Sequence, residues 1–228
     1  MTSNLLHLLQ LCDPALPIGG FAHSAGLETY VQSGVVADKA GTTAFIIQML
    51  SQNYKHNDAA FLSLAYDAAA SKDMEKVFQL DMECTAARLP EEMRMASIKL
   101  GARLLKIFQP LCTDELVDAY YAAIKPGMAN GHYCIAFALA AHALQIDKLE
   151  ALTGFYYNAA AGFVTNSVKL IPLSQQSGQE ILFAVKPLIA GLAQQSMRPD
   201  EELLGLCCSG FDISSMQHER LYSRLYMS

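Results

Sequence analysis

The residues best suited to chemistry fall into two short stretches and a scatter of histidines and cysteines. Near the start stands LPIGGFAHSAGLETYV, Leu16 to Val31. Here Gly19, Gly20 and Gly26 share a loop with Phe21, His23 and Ser24 and lead into a helix carrying Glu28 and Tyr30. Glycine permits positive φ and close backbone approach. The loop is therefore either a tight helix–helix turn or a surface offered to a partner, and composition supports both. At the other end, SSMQHERLYSRLYMS sets Leu221, Tyr222, Leu225 and Tyr226 at helical spacing, with Arg220 and Arg224 four apart. Chain ends are normally polar and frayed, and Tyr and Arg are enriched at interface hot spots. Apolar residues this close to the end predict a docked segment. Spacing leaves open whether it docks on its own body or on another chain.

Enzyme signatures are missing. His23-Ser24 lacks the G-x-S-x-G elbow, and two sequence neighbours on a helix point in different directions, so His23 is badly placed to activate Ser24. Without G-x-x-x-x-G-K-[ST], the chain is not expected to bind a nucleoside triphosphate by itself. There is no H-E-x-x-H and no zinc spacing of Cys and His. His132-x-Cys134 places its two side chains on different helix faces. His132 reads as a helix-start residue and His142, among alanines, as a core histidine. The 10 methionines read as core filler. Cys12, Cys84, Cys112, Cys134, Cys207 and Cys208 form no C-x-x-C, which fits free, mostly buried thiols in the cytoplasm. No metal site, catalytic residue or bound cofactor is expected on this chain.

The elements that must position these residues are helical. In 228 residues, 32 are Ala and 31 Leu, against few of the β-branched residues that suit a pleated sheet. Charged residues make up only 17% and the net charge is −6, which argues against nucleic acid as a partner. Low charge raises the membrane question. The longest uncharged run, Pro126 to Ile146, opens with Pro-Gly-Met-Ala-Asn-Gly and is strictly apolar only from Tyr133 to Ala141. That is short of the ~20 residues that span a bilayer. This run and Ala151 to Val168 read as buried core helices. The N-terminus lacks a basic region and a small-residue cleavage site, so no signal peptide is expected.

Periodicity and capping residues predict an all-α fold, a single compact bundle of about ten helices over residues 1–228. Expected helices run from Leu5 to Leu11, from about Ser24 to Gly34, and from an Asp38 cap through Leu50. Others run from an Asn57 cap to Ala70, from a Ser71 cap over Lys72 to Arg88, and from Glu91 to Gln109. Further along, Thr113 caps a helix to Ile124, His132 to Ile146 is helical, and Asp147 opens a helix to about Leu170. Ser174 starts another, bent near Pro187. A short segment follows Pro199, and Asp212 caps a last helix toward the C-terminus.

Five blocks now carry a family resemblance: the glycine-rich stretch, EEMRMASIKLGARLL (Glu91 to Leu105), the His132 helix, VKLIPLSQQSGQ (Val168 to Gln179) and the terminal SSMQHERLYSRLYMS. Together they span nearly the whole chain, which resembles the UreF family of urease accessory proteins. The resemblance implies an all-α homodimer that is not an enzyme. Such proteins bind the accessory protein UreD (UreH in some organisms), recruit the nickel-carrying GTPase UreG, and help insert nickel into apo-urease. Control of the GTPase step and a passage for nickel have been proposed for them. By matching position, residues 212–228 form a partner-docking segment. Arg220, Tyr222, Arg224 and Tyr226 would face UreD or UreH, and Gly20, Phe21, His23, Ser24, Glu28 and Tyr30 would face UreG. Phe21 stands where relatives carry tyrosine, and Ala25 and Ser174 also depart from the pattern. Two readings of other classes remain: a helical small-ligand enzyme using His23, His132 or His142, and a direct nickel store on the scattered His and Cys side chains.

Overall fold

A computed structural model describes residues 2–227, with the side chains of Thr2 and Ser3 left out; Ser228, at the end of the expected docking segment, lies outside the described residues. Among these the fold is all-α. Its helices are α1 (Thr2–Leu11), α2 (Leu27–Gln32), α3 (Lys39–Gln48), α4 (Asp58–Ala70), α5 (Met74–Ala87) and α6 (Glu91–Phe108), followed by α7 (Glu115–Ile124), α8 (Tyr133–Ala143), α9 (Lys148–Leu170), α10 (Gln175–Ser196) and α11 (Ser209–His218). Short 3-10 turns occupy Gly20–Ala22 and Glu201–Leu203, and a π-helical segment, Met49–Tyr54, extends α3.

Local side-chain chemistry sets most helix starts. Asp38, Asp147 and Ser174 accept the N–H of Gly41, Leu149 and Ser177, satisfying donors that the first turn leaves orphaned. Two expected caps are displaced: Asp73 rather than Ser71 caps α5, and Asp114 rather than Thr113 caps α7. In each case a carboxylate within two residues takes the role, and its charge suits the helix N-terminus better than a hydroxyl. The side chain of Asn57 donates to Leu206 O instead of capping α4. α10 runs unbroken through Pro187.

α8 sits at the centre. Every residue from Cys134 to Ala141 is buried, so the apolar part of the uncharged run is core, while its start, Pro126 to Met128, is exposed. Around it pack α4, α6 and α9, and α10 lies along α9. The α6–α8 crossing is close because Gly101 has no side chain: a Cβ there would strike the Gly131 carbonyl oxygen and come within 2.7 Å of the His132 carbonyl carbon. The turn into α8 is held by Asp81, which is fully buried on α5. Its carboxylate accepts the Tyr120 hydroxyl at 2.7 Å and the backbone N–H of Asn130, Gly131 and His132 at 2.5–3.2 Å. No helix is long and apolar enough to cross a membrane among the described residues.

Two expectations near the chain ends are corrected. The helix expected from Ser24 begins only at Leu27, because Ala25 and Gly26 adopt φ of 51° and 81°. The last helix does not start at an Asp212 cap or continue toward the C-terminus. It starts at Ser209, holds Asp212 in its first turn, and ends at His218.

Candidate functional site

The glycine-rich block and the C-terminal tail lie against each other. Gly19, at φ 86°, turns the chain into the 3-10 turn Gly20–Ala22. Space for a Cβ at Gly19 is taken by the Arg103 guanidinium, whose Nη1 donates to Ile18 O at 2.9 Å. Gly20 faces open space, and Phe21 is 72% exposed. Ser24 is buried, and its Oγ accepts the Glu28 N–H at 3.3 Å. At Gly26 a Cβ would meet the Phe211 ring and Ser215 Oγ at 2.8 and 2.9 Å, so α11 approaches the start of α2 closely.

This approach buries Glu28, only 3% exposed, in the first turn of α2. Its carboxylate collects donors from the far end of the chain. The backbone N–H of Leu225 donates to Oε1 at 2.7 Å and that of Tyr226 to Oε2 at 3.1 Å. His218, 1% exposed, sets Nε2 3.2 Å from Glu28 Oε2 and Nδ1 2.7 Å from Glu92 Oε2. Glu92, on α6, holds Arg224 through an ion pair of 2.6 Å. One relay thus joins α2, α11, α6 and the tail, in the order Glu28, His218, Glu92, Arg224. Both imidazole nitrogens face carboxylate oxygens, so the ring donates to both only when it carries two protons.

Two further ties flank the relay. Met227 N–H donates to Ala22 O at 2.8 Å, and Gln32 Nε2 donates to Ser223 O at 2.9 Å. Tyr226 is buried, and burial together with the Glu28 carboxylate pushes its phenol up. Its hydroxyl has no partner, and neither do the buried hydroxyls of Thr29 and Ser215. Each uncompensated hydroxyl costs about 1–3 kcal/mol. The junction therefore combines strong charge-assisted ties with polar atoms left unsatisfied.

The remaining site candidates divide by exposure. Tyr222 is wholly exposed, Arg220 is exposed, and Leu225 and Met227 are exposed in large part. Phe21, Tyr222, Leu225 and Met227 are thus exposed apolar side chains on the two segments that the junction ties together. Tyr30 is half-buried, 5.3 Å from the Phe45 ring, and burial raises its phenol. His23 is drawn down by burial and then by Lys99 and Arg103, and its carbonyl accepts from Asn166. Sequence reasoning did not single out His218 or Glu92 as site residues, although both lie in blocks that carry the resemblance; a residue pair this far apart has no local signal.

The histidines are not gathered into a pocket. His132 is fully buried, with Nε2 2.8 Å from Thr85 Oγ1 and Nδ1 3.1 Å from Ser97 Oγ. His142 is half-buried, edge-on to Tyr66 at 5.5 Å. Among the described residues no group of three or more His, Cys, Asp and Glu side chains is arranged to hold a metal ion.

Comparison with known proteins bears on the whole chain. A family model described as UreF matches residues 36–186. The chain is 49% identical over 221 residues to a urease accessory protein UreF of Actinobacillus pleuropneumoniae serotype 5b, covering 97% of both chains. It is 48% identical to that of Haemophilus influenzae strain Rd, covering 97% of this chain and 94% of the relative. It is 35% identical over 228 residues to that of Lachnoclostridium phytofermentans, covering the full length of both. The chain belongs to the UreF family of urease accessory proteins.

Proposed function

We propose that this chain is a non-enzymatic scaffold of urease maturation. In this reading it binds a UreD- or UreH-type partner through the tail and recruits the GTPase UreG through the glycine-rich block. The assembly then delivers nickel to apo-urease, with the metal as cargo rather than as a cofactor of this chain. The scaffold works as a homodimer in the cytoplasm, and it bears on GTP hydrolysis only through UreG. Family membership supports the general role. The division of labour is what the resemblance implies, and its coupling within this chain rests on one observation: the Glu28 carboxylate in the block holds the backbone of Leu225 and Tyr226 in the tail. Two surfaces that resemblance assigns to different partners thus share a buried residue. Engagement of the tail by one partner is thereby felt in the block offered to the other.

Deleting Leu221 to Ser228 tests the assignment of the tail. Co-purification with the UreD-type partner is expected to fall sharply while the body stays folded by circular dichroism. Undiminished binding overturns the role given to Tyr222, Arg224 and Tyr226. Nickel titration of the purified chain separates the scaffold from a nickel store, since tight stoichiometric uptake favours the store.

A further inference from the structure

Two of the buried cysteines are paired in space. Cys84 on α5 and Cys134 on α8 are 1% and 0% exposed, and their sulfur atoms lie 3.7 Å apart. The surroundings of Cys84 are polar on one side. Arg88 Nη2 lies 3.8 Å from its sulfur and 2.8 Å from Asp58 Oδ1. The hydrogen bond from Cys134 favours the thiolate of Cys84 most; burial opposes it, and the Arg88 guanidinium and His132 imidazole favour it further. Cys134 sees the opposite effect: the neighbouring Cys84 and burial both hold its proton on. The two sulfurs therefore differ in character although they touch.

Neither sulfur lines a cavity among the described residues, but a cavity lies beyond Arg88. A cavity of about 40 Å³ is lined by Asp58, Arg88, Pro90, Cys208 and Asp212, among others. That exceeds the ~10–15 Å³ needed for one water. Arg88 lines this cavity and touches Cys84 with the same nitrogen that binds Asp58, so a shift of that side chain would bring a small reagent from the cavity toward the sulfur.

We propose that Cys84 and Cys134 are a reversible dithiol–disulfide couple, with Cys84 the nucleophile toward a small hydroperoxide and Cys134 the resolving thiol. Cys84 gives up its proton, and its sulfur attacks one oxygen of hydrogen peroxide. An S–O bond forms, the O–O bond breaks, and the hydroxide released takes up that proton to leave as water. The Cys134 sulfur then attacks the sulfenic sulfur. An S–S bond forms, the S–O bond breaks, and the second water carries off the Cys134 proton. Two thiols and one peroxide give one disulfide and two waters, with two electrons passing from sulfur to oxygen. A resolving thiol beside the sulfenic sulfur directs oxidation to a disulfide rather than to higher acids. The product ties α5 to α8 beneath the Arg88–Asp58 ion pair.

The test uses the full-length folded chain, hydrogen peroxide as the probe, and peptide mapping without reductant after free thiols are blocked. The expected result is a Cys84–Cys134 cross-linked peptide that forms in the native protein and disappears after dithiothreitol. Cys134→Ser should abolish the cross-link and leave Cys84 as a sulfenic acid trapped by dimedone. Cys84→Ser should leave Cys134 unmodified. If either variant fails to fold, the native chain alone decides. The proposal is overturned if both residues remain thiols once the exposed Cys207 is fully oxidised. It is equally overturned if the cross-link appears only after denaturation, or if Cys134 rather than Cys84 is the sulfur trapped.

Discussion

Glu28 accepts the backbone N–H of Leu225, 197 residues later in the chain, at 2.7 Å. In a helix that N–H would bond the carbonyl four residues back. A buried carboxylate has taken it instead, along with that of Tyr226, and this places the tail beside the glycine-rich block.

Removing the Glu28 acceptor should release the tail. Glu28→Ala leaves two backbone donors and one face of His218 without a partner, in a site closed to solvent. Loss of about 3 kcal/mol is expected by chemical denaturation, from buried hydrogen-bonded charge. Hydrogen exchange at residues 219–227 should rise while α8 stays protected. Unchanged protection of the tail would show that Glu28 does not hold it.

Phe21 and Tyr30 should behave differently although resemblance assigns both to the same surface. Phe21 is 72% exposed, so Phe21→Ala is expected to change stability by less than about 0.5 kcal/mol and to weaken UreG recruitment. Tyr30 packs on Phe45, so Tyr30→Ala should cost about 1–2 kcal/mol as well. Thermal melts beside pull-downs of UreG separate the two effects. Recruitment that survives Phe21→Ala removes the block from the GTPase surface.

Gly101→Ala should be among the more damaging small substitutions. The added methyl would meet backbone atoms of Gly131 and His132, which cannot rotate away as a side chain could. Overpacking of this kind costs about 1–3 kcal/mol. A variant as stable as the parent in urea would mean that α6 and α8 can separate freely.

Asp81→Asn should loosen the turn into α8. The carboxylate accepts from Tyr120, Asn130, Gly131 and His132, and an amide offers one acceptor oxygen in place of two. A loss of about 2 kcal/mol is expected, with faster exchange at the amides of residues 130–132. Retained protection there would place the burden on packing instead.

Some of this fold was legible in the sequence because its causes are local. Asp38, Asp147 and Ser174 cap the helices that follow them, and a cap needs only its own side chain and the next turn. The core role of Cys134 to Ala141 could be read from a run too short for a membrane. The tail was less readable. Leu221, Tyr222, Leu225 and Tyr226 have helical spacing, yet the helix stops at His218, because acceptors on α2 outcompete a helical turn. Spacing records which residues share a face and carries no record of a distant carboxylate. The Glu28–His218–Glu92–Arg224 relay was invisible for the same reason: its members come from three helices and the tail. The offset of the caps at Asp73 and Asp114 is a smaller case, in which two polar neighbours compete and charge decides.

The central claim is that tail and block form one partner-binding unit joined through Glu28. It is tested most directly by co-purifying the full chain and its Glu28→Ala variant with the UreD-type partner and UreG, reading the stoichiometry of each complex with and without GTP. The account predicts that the variant, still folded, loses UreG from the three-protein complex even though Glu28 is buried beneath the tail. A Glu28→Ala chain that holds both partners at the parent's stoichiometry would contradict it.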